Sequence, residues 1–321
     1  MPTNLPPDYF VEERKLRQAK TPDEKIAILE RMIAIAPHHK GTDHLLAQLR
    51  SKISKLKEEK EKRPAAQRKV DLLFNVKKDG AGQVLFIGFP NSGKSSLVSA
   101  LSGSPLEVGD YPYTTRVLQA RMMRYEDIWI QLVDTPALGD ESTSMWFGNM
   151  VRKADLLVWV LGLSEEVELE YDLMAEEVKR HIPDLDSRPE SVVVTVNKLD
   201  LQEFAPLLAA FEKSQAGRRR VVPVSATNDM NLYLLKEAIF ESLGIVRVYS
   251  KLPGKKPDME APFVLRKGCT ILDLAVKIHR DLPSDLRYAK LWRGDEYQGM
   301  MAGRDFVLKD GDIVELHTSK T

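Results

Sequence analysis

One cysteine, Cys269, stands in 321 residues. It has no partner within the chain, which excludes an intramolecular disulfide framework and suits a reducing compartment. At the start of a helical pattern it reads as a small packing residue, not a nucleophile. Long apolar runs are also missing. The longest, LLVWVLGL from Leu156 to Leu163, is far short of the roughly 20 residues a membrane helix needs, and reads as a buried strand. The opening residues, MPTNLPPDYFVEERK, lack the apolar core of a secretory signal. A cytoplasmic location without membrane contact is therefore expected. Internal repeats are absent, and so is net charge, with 47 Lys and Arg against 47 Asp and Glu.

The neutral total hides an uneven spread. Residues 1–78 hold 18 Lys and Arg against 11 Asp and Glu, 79–245 hold 15 against 25, and 246–321 hold 14 against 11. Basic ends around an acidic centre fit ends that touch a polyanion, and they fit solvated helix faces as well.

Hydrophobic residues make up 43% and charged residues 29%, ordinary values for a soluble globular protein. The chain exceeds the ~250–300 residues at which single cores stop growing. Two domains, 79–245 and 246–321, and an N-terminal appendage, 1–78, are expected. The proline-rich stretch 1–10 reads as irregular. Thr21-Pro22-Asp23-Glu24 then offers a cap, a proline at the first helical position and a carboxylate three residues on. Ile26, Leu29, Ile33 and Ala36 share one face of the helix that follows, and Pro37 ends it. Thr42 can cap a second helix, on which Leu46, Leu49, Ile53 and Leu56 form a two-heptad seam. Lys52, Lys55, Lys57, Lys60 and Lys62 decorate that helix. The expectation is a helical hairpin with a basic second arm, packed on the next domain or a partner.

In the middle, QVLFIGF (83–89), IWIQLVD (128–134), DLLVWVLGL (155–163), SVVVTVN (191–197) and RVVPVS (220–225) read as buried strands. Helical patterns at 94–102, 170–181, 203–214 and 231–242 lie between several of them. This alternation predicts an α/β domain with a parallel-type sheet covered on both faces. From 246 the texture changes to a small mixed sheet with one helix at 270–282, and strands at 288–293 and 306–317 around an Asp310-Gly311 turn. That pattern fits a β-grasp module.

Gly88-Phe89-Pro90-Asn91-Ser92-Gly93-Lys94-Ser95 matches G-x-x-x-x-G-K-[ST] directly after a strand and at the start of a helix. The glycines let backbone N–H groups curl round phosphates, and the helix N-terminus adds partial positive charge. Lys94 would reach the β- and γ-phosphates, and the Ser95 hydroxyl would ligate Mg²⁺. Gly88, Asn91, Ser92, Gly93 and Ser96 complete the phosphate-binding set. The motif alone implies a nucleoside triphosphate and leaves the base open.

Asn197-Lys198-Leu199-Asp200 follows one apolar strand, and Ser225-Ala226 the next. These resemble the guanine-specificity motifs of P-loop GTPases. The resemblance implies that Asp200 accepts from guanine N1–H and the 2-amino group, that Asn197 bonds the other edge, that Lys198 lies along the base plane, and that the Ala226 N–H contacts O6. Tyr111-Pro112-Tyr113-Thr114-Thr115-Arg116 resembles the first switch of the Obg and DRG (developmentally regulated GTP-binding) proteins. On that likeness Thr115 closes over Mg²⁺ and Asp134 holds the ion through water. HHKGTDHLLAQLRSKISKLKEE (38–59) looks like the helical arm of DRG proteins. VRVYSKLPGKKPD (246–258), KIHRDL (277–282) and GRDFVLKDGDIVELH (303–317) look like their TGS domain, a ubiquitin-like β-grasp module. The resemblance covers nearly the whole chain, with two departures. Eukaryotic members insert a helical segment in the G domain, whereas here Asp134 to Asn197 spans 63 residues, room for an ordinary G domain. The family's D-x-P-G reads Asp134-Thr135-Pro136-Ala137 here, so cheap access to positive φ at the second switch is lost.

The resemblance further implies a potassium ion held beside the phosphates by Asn91, with Lys94, Thr115 and Asn91 as the catalytic set. Leu138 stands where many small GTPases carry a catalytic glutamine. The activity so implied is slow GTP hydrolysis to GDP by a ribosome- or RNA-associated switch in translation. A second function stays open: a GTP-binding scaffold whose helical arm and TGS domain bind a protein partner with little turnover.

Overall fold

The structure, a computed structural model, describes residues 6–19, 22–37, 42–62, 76–103, 118–139 and 143–318. Residue contacts divide the chain into two units, Met1–Leu72 and Leu73–Thr321.

Among the described residues the first unit has three helices, α1 (Pro7–Gln18), α2 (Pro22–Ile35) and α3 (Asp43–Lys62), where the sequence predicts a two-helix hairpin. Helix α1 occupies much of the stretch expected to be irregular. Pro6 takes an extended cap conformation, a proline sits in the first turn, and Asp8 follows. Proline at that position costs no hydrogen bond and pre-sets φ, so the cluster starts a helix. Tyr9 of α1 is buried with Leu29 and Met32 of α2 and with Leu46, Leu49 and Ile53 of α3. The seam on α3 is thus consumed inside this unit. The Leu46 N–H donates to the Thr42 carbonyl at 2.9 Å, as expected of a residue that starts α3. Thr21 of the anticipated capping box lies outside the described residues.

The second unit holds two sheets. The five strands read from the middle of the sequence appear as β1 (Gln83–Gly88), β3 (Ile128–Asp134), β4 (Leu156–Gly162), β5 (Val192–Asn197) and β6 (Arg220–Pro223), all parallel. A sixth, β2 (Gln119–Tyr125), pairs antiparallel with β3 at the edge, giving the order β2-β3-β1-β4-β5-β6. Its sequence, QARMMRY, carries two arginines and half-exposed positions, as an edge strand tolerates. Helices α4 (Lys94–Ser102), α5 (Thr143–Lys153), α6 (Val167–His181), α7 (Ala205–Gln215) and α8 (Leu232–Ser242) alternate with these strands. Strands β1 and β4 are buried along their whole length, which is why they read as unbroken apolar runs. No helix among the described residues is long and apolar enough to cross a membrane.

The second sheet, ordered β10-β9-β11-β7-β8, contains β7 (Ile245–Ser250), β8 (Phe263–Arg266), β9 (Leu286–Arg293), β10 (Tyr297–Ala302) and β11 (Asp312–Thr318). Helix α9 (Ile271–Ile278) packs Ile271, Leu274 and Ala275 onto Val248, Ala289, Leu291 and Val314. Thr270 and Asp273 cap α9 reciprocally. The expected 270–282 helix stops at Ile278, and a short helix, α10 (Leu282–Asp285), follows. Residues 306–311, expected as part of a hairpin, contribute one isolated bridge, Thr270 to Val307.

The two sheets meet at Arg247. This side chain, 11% exposed, pairs with Glu126 and, at 2.9 Å, with Asp127 on the β2–β3 turn. It also holds Asp310 at 2.7 Å and lies 5.1 Å over the Phe240 ring. The Tyr249 hydroxyl donates to Asp127, and Arg266 reaches Asp155 at 3.2 Å. Burial pushes the Asp127 carboxyl up, but the Tyr249 hydroxyl and the Arg247 guanidinium outweigh it and hold the group below its ordinary value. Asp155 is likewise held low, with Lys78, the Gln83 N–H and Arg266 overcoming burial. Depressed carboxyls contribute stability that is present at neutral pH and lost as pH falls through their folded values. The thermal midpoint should therefore fall steeply below about pH 4. Circular-dichroism melts across that range check this, and a flat midpoint would discount the junction as a source of stability.

Candidate nucleotide-binding site

The site forms at the carboxyl ends of β1, β3, β4 and β5, where open α/β sheets bind ligands. The loop after β1 turns through two left-handed residues, Asn91 at φ 62° and Gly93 at φ 80°. Asparagine tolerates this region better than most residues, so Asn91 has a backbone reason to be there. A Cβ at Gly88 would stand 2.5 Å from the Val160 carbonyl oxygen, and one at Gly93 would stand 2.2 Å from Asn197 Nδ2. Both positions need glycine because neighbouring chain approaches so closely. Gly93 opens α4, and Lys94 is its first residue. Its ammonium, 7% exposed, lies 3.3 Å from Asp134 Oδ1 at the end of β3.

Asn197, at the end of β5, joins two loops. Its Nδ2 donates to the Ser92 carbonyl at 3.1 Å and lies 3.5 Å from that of Gly93. Its Oδ1 accepts the Ala226 N–H at 3.1 Å. The Ser225 hydroxyl donates to Asp200 Oδ1 at 2.6 Å and accepts the Asn228 N–H at 3.2 Å. Ser225 therefore orients the Asp200 carboxylate, a role the sequence left unspecified. Lys198 has φ 70°. A methyl group at Gly162 would lie 3.6 Å from Ser92 Cα and 3.7 Å from Lys198 Nζ, so the lysine runs beside the phosphate loop.

Glu170 lies outside every sequence motif of the site. It accepts the Gly162 N–H at 3.3 Å, and burial raises its carboxyl although that bond and Lys198 oppose the rise. Among the acidic residues of α6 nothing in the sequence marks it.

The Thr135 hydroxyl donates to the Phe86 carbonyl at 2.8 Å, and the Leu138 N–H to that of Gly88 at 2.9 Å. The Leu138 side chain is buried. The left-handed residue of this segment is Gly139, φ 89°, and Ala137 is not among the positive-φ residues. Alanine is thus unstrained in this arrangement. Thr115, with all of 104–117, lies outside the described residues.

The donor set fits a magnesium–nucleotide complex. Asp134 is 2% exposed, and its Oδ1 has no hydrogen-bond donor, only the Lys94 ammonium. The buried Ser92 Oγ also lacks a partner. Hard oxygen donors beside a lysine and a helix N-terminus suit a hard cation and phosphate together.

Residues 83–198 match the family model described as 50S ribosome-binding GTPase, and 246–318 match the TGS domain. A GTP-binding protein of Methanocaldococcus jannaschii is 26% identical over 92% of each chain. The developmentally-regulated G-protein 1 of Arabidopsis thaliana is 26% identical over 92% of this chain and 91% of its own. The ribosome-interacting GTPase 1 of Saccharomyces cerevisiae is 26% identical over 91% of this chain and 98% of its own. The archaeal alignment runs to 362 positions against a chain of 321 residues, so at least 41 positions are filled only by that relative.

Proposed function

We propose that this chain, a GTP-binding protein of the DRG group with a C-terminal TGS domain, hydrolyses GTP slowly with the aid of potassium and acts as a switch on ribosomes or structured RNA. The observation that carries the reading is the convergence of Lys94, Asp134 and Asn197, from three segments, around one phosphate loop, with Asp200 of the Asn197 segment held by Ser225. In this reading Gly88, Ser92, Gly93 and Ser96 present the phosphate cradle, and Lys94 moves from Asp134 to the β- and γ-phosphates. Ser95, Thr115 and Asp134 hold Mg²⁺, which offsets charge on the phosphate oxygens when bound. Asp200, oriented by Ser225, accepts from guanine, while Asn197, Lys198 and Ala226 complete the base site. The buried Leu138 offers no polar group to orient water, which supports a slow rate. The basic ends of the sequence and the likeness to the ribosome-interacting GTPase of yeast support an RNA-rich partner.

Basal turnover should be on the order of 10⁻⁴–10⁻² s⁻¹. Replacing sodium by potassium at constant ionic strength should accelerate it by roughly tenfold or more, the scale of one well-placed transition-state charge. Asn91→Gly keeps the left-handed backbone accessible and removes the side-chain carboxamide, so it should lose the potassium effect and retain GTP binding. Equal rates in the two salts would refute the cation role. Absence of multiple turnover in either salt would make the chain a GTP-binding scaffold. Sedimentation of lysate with GDP or a non-hydrolysable GTP analogue checks the ribosomal part. Nucleotide-dependent movement with ribosomes is expected.

A further inference from the structure

The outer face of the second sheet carries rings and cations that the nucleotide site does not use. On β9, Tyr288, Lys290 and Trp292 are half-exposed and alternate with buried Ala289 and Leu291, so they project on the side opposite α9. Register sets His317, Glu315 and Ile313 of β11 beside them. Tyr288 and His317 stack at 4.5 Å with 12° between planes. Lys251 Nζ lies 4.7 Å from the Trp292 ring centre. The carboxylate in this row, Glu315, is buried and already committed, to Lys251 and, at 2.7 Å, to His317 Nε2.

At the Trp292 end the face opens into a cavity of ≈ 290 Å³, lined by Lys251, Pro257, Trp292, Gln298 and Ile313 with Gly294 and Gly311. Its walls are an indole, a proline ring, a primary amide and an ammonium. A planar heterocycle attached to an anion uses the rings to stack on and the amide for its polar edge, with Lys251 fixed over the indole by Glu315 and further cations needed for the phosphate. Gly299, φ 75°, keeps the indole in place, since a Cβ there would stand 3.2 Å from Trp292 Cζ2. Lys255 and Lys256, exposed and next in sequence to the lining Pro257, have no ion pair among the described residues, and the domain carries 14 Lys and Arg against 11 Asp and Glu.

We propose that this face binds single-stranded RNA, with one unpaired base in the Trp292 cavity and another on the Tyr288–His317 pair. The two platforms are four residues apart on one strand, ~13 Å, far enough to take separate bases. A duplex hides its base faces and gains nothing from rings. An acidic peptide needs the lysines but not the stacking platforms. The proposal rests on the RNA-associated reading above and names the residues that make the contact.

The test is fluorescence anisotropy of the full chain with a short labelled single-stranded RNA, the same RNA as a duplex, and a polyglutamate peptide. Trp292→Ala should weaken single-strand binding by about 5- to 100-fold, the range that base–aromatic stacking supplies. Duplex binding should stay unchanged. So should the dependence on salt, since no phosphate contact is lost. Trp292→Phe should keep most of the affinity, and GTP affinity should be unaltered in every variant, which certifies folding. Joint Lys255→Ala and Lys256→Ala should instead flatten the salt dependence. Wild-type single-strand affinity in Trp292→Ala overturns the proposal. So does an equal loss in both Trp292 variants on both RNA forms, or tighter binding of polyglutamate than of RNA. Single-strand binding that depends on Trp292 in a protein that never sediments with ribosomes would reject the ribosomal reading and leave this one standing.

Discussion

Asp200→Asn should swing the preference of the site from GTP towards xanthosine triphosphate, changing the ratio of the two affinities by roughly 10⁴-fold. In the proposed base site the carboxylate would accept two hydrogen bonds from guanine, and an amide turned the same way would offer a donor to a donor. Xanthine carries a carbonyl where guanine carries its 2-amino group, so the amide donor meets an acceptor. The structure sharpens the expectation because the Ser225 hydroxyl already holds Asp200 Oδ1 at 2.6 Å. The asparagine inherits that neighbour and can keep its oxygen on Ser225 while presenting its nitrogen to the base. Titration calorimetry with GTP, ATP and xanthosine triphosphate measures the change. Equal affinity of the unaltered protein for ATP and GTP would remove the guanine assignment altogether.

Gly93→Ala should abolish nucleotide binding at ordinary concentrations, a loss of roughly 100-fold or more, ~3 kcal/mol. Two costs combine. The residue has φ 80°, where a Cβ costs ~1–2 kcal/mol. The added carbon would also stand 2.2 Å from Asn197 Nδ2, so the amide must move and surrender its bonds to Ser92 and Ala226. The loss should thus reach beyond the phosphate loop to the Ala226 segment. A double-mutant comparison isolates the clash. In an Asn197→Ala background the atom that Gly93→Ala would meet is gone, so the extra fall in the thermal midpoint should shrink. An equal fall in both backgrounds would assign the whole cost to the backbone.

What could be read from the sequence was whatever sits in one contiguous stretch. The phosphate loop and the Asn197–Asp200 motif each follow an apolar strand, and β1 and β5 lie where those runs placed them. Strand β2 escaped because an edge strand need not be apolar. Strand β8, FVLR, has only four residues, and β10, YQGMMA, is interrupted by a bulge between Gln298 and Met300. Helix α1 escapes because, in sequence, prolines that open a helix look like prolines that prevent one. Within the site, the bond from Ser225 to Asp200 and the one from Gly162 to Glu170 join residues whose types alone do not name their partners. The ion pairs of Arg247 join residues 63 to 121 positions apart, and no local pattern records such a pairing.

The β2–β3 turn that Arg247 grips sits midway along the stretch of chain that joins residues 104–117 to the Asp134–Gly139 segment. Its two strands are hydrogen-bonded along their length, from Gln119 opposite Asp134 to Tyr125 opposite Ile128. Sliding one strand past the other would carry Glu126 and Asp127 away from the guanidinium and the Tyr249 hydroxyl. A shift of this hairpin on nucleotide binding would make the junction a point of thermodynamic linkage. Whatever free energy a bound nucleotide spends on shifting this hairpin, a ligand on the second sheet must spend or recover in equal measure, because coupling between two binding sites is reciprocal.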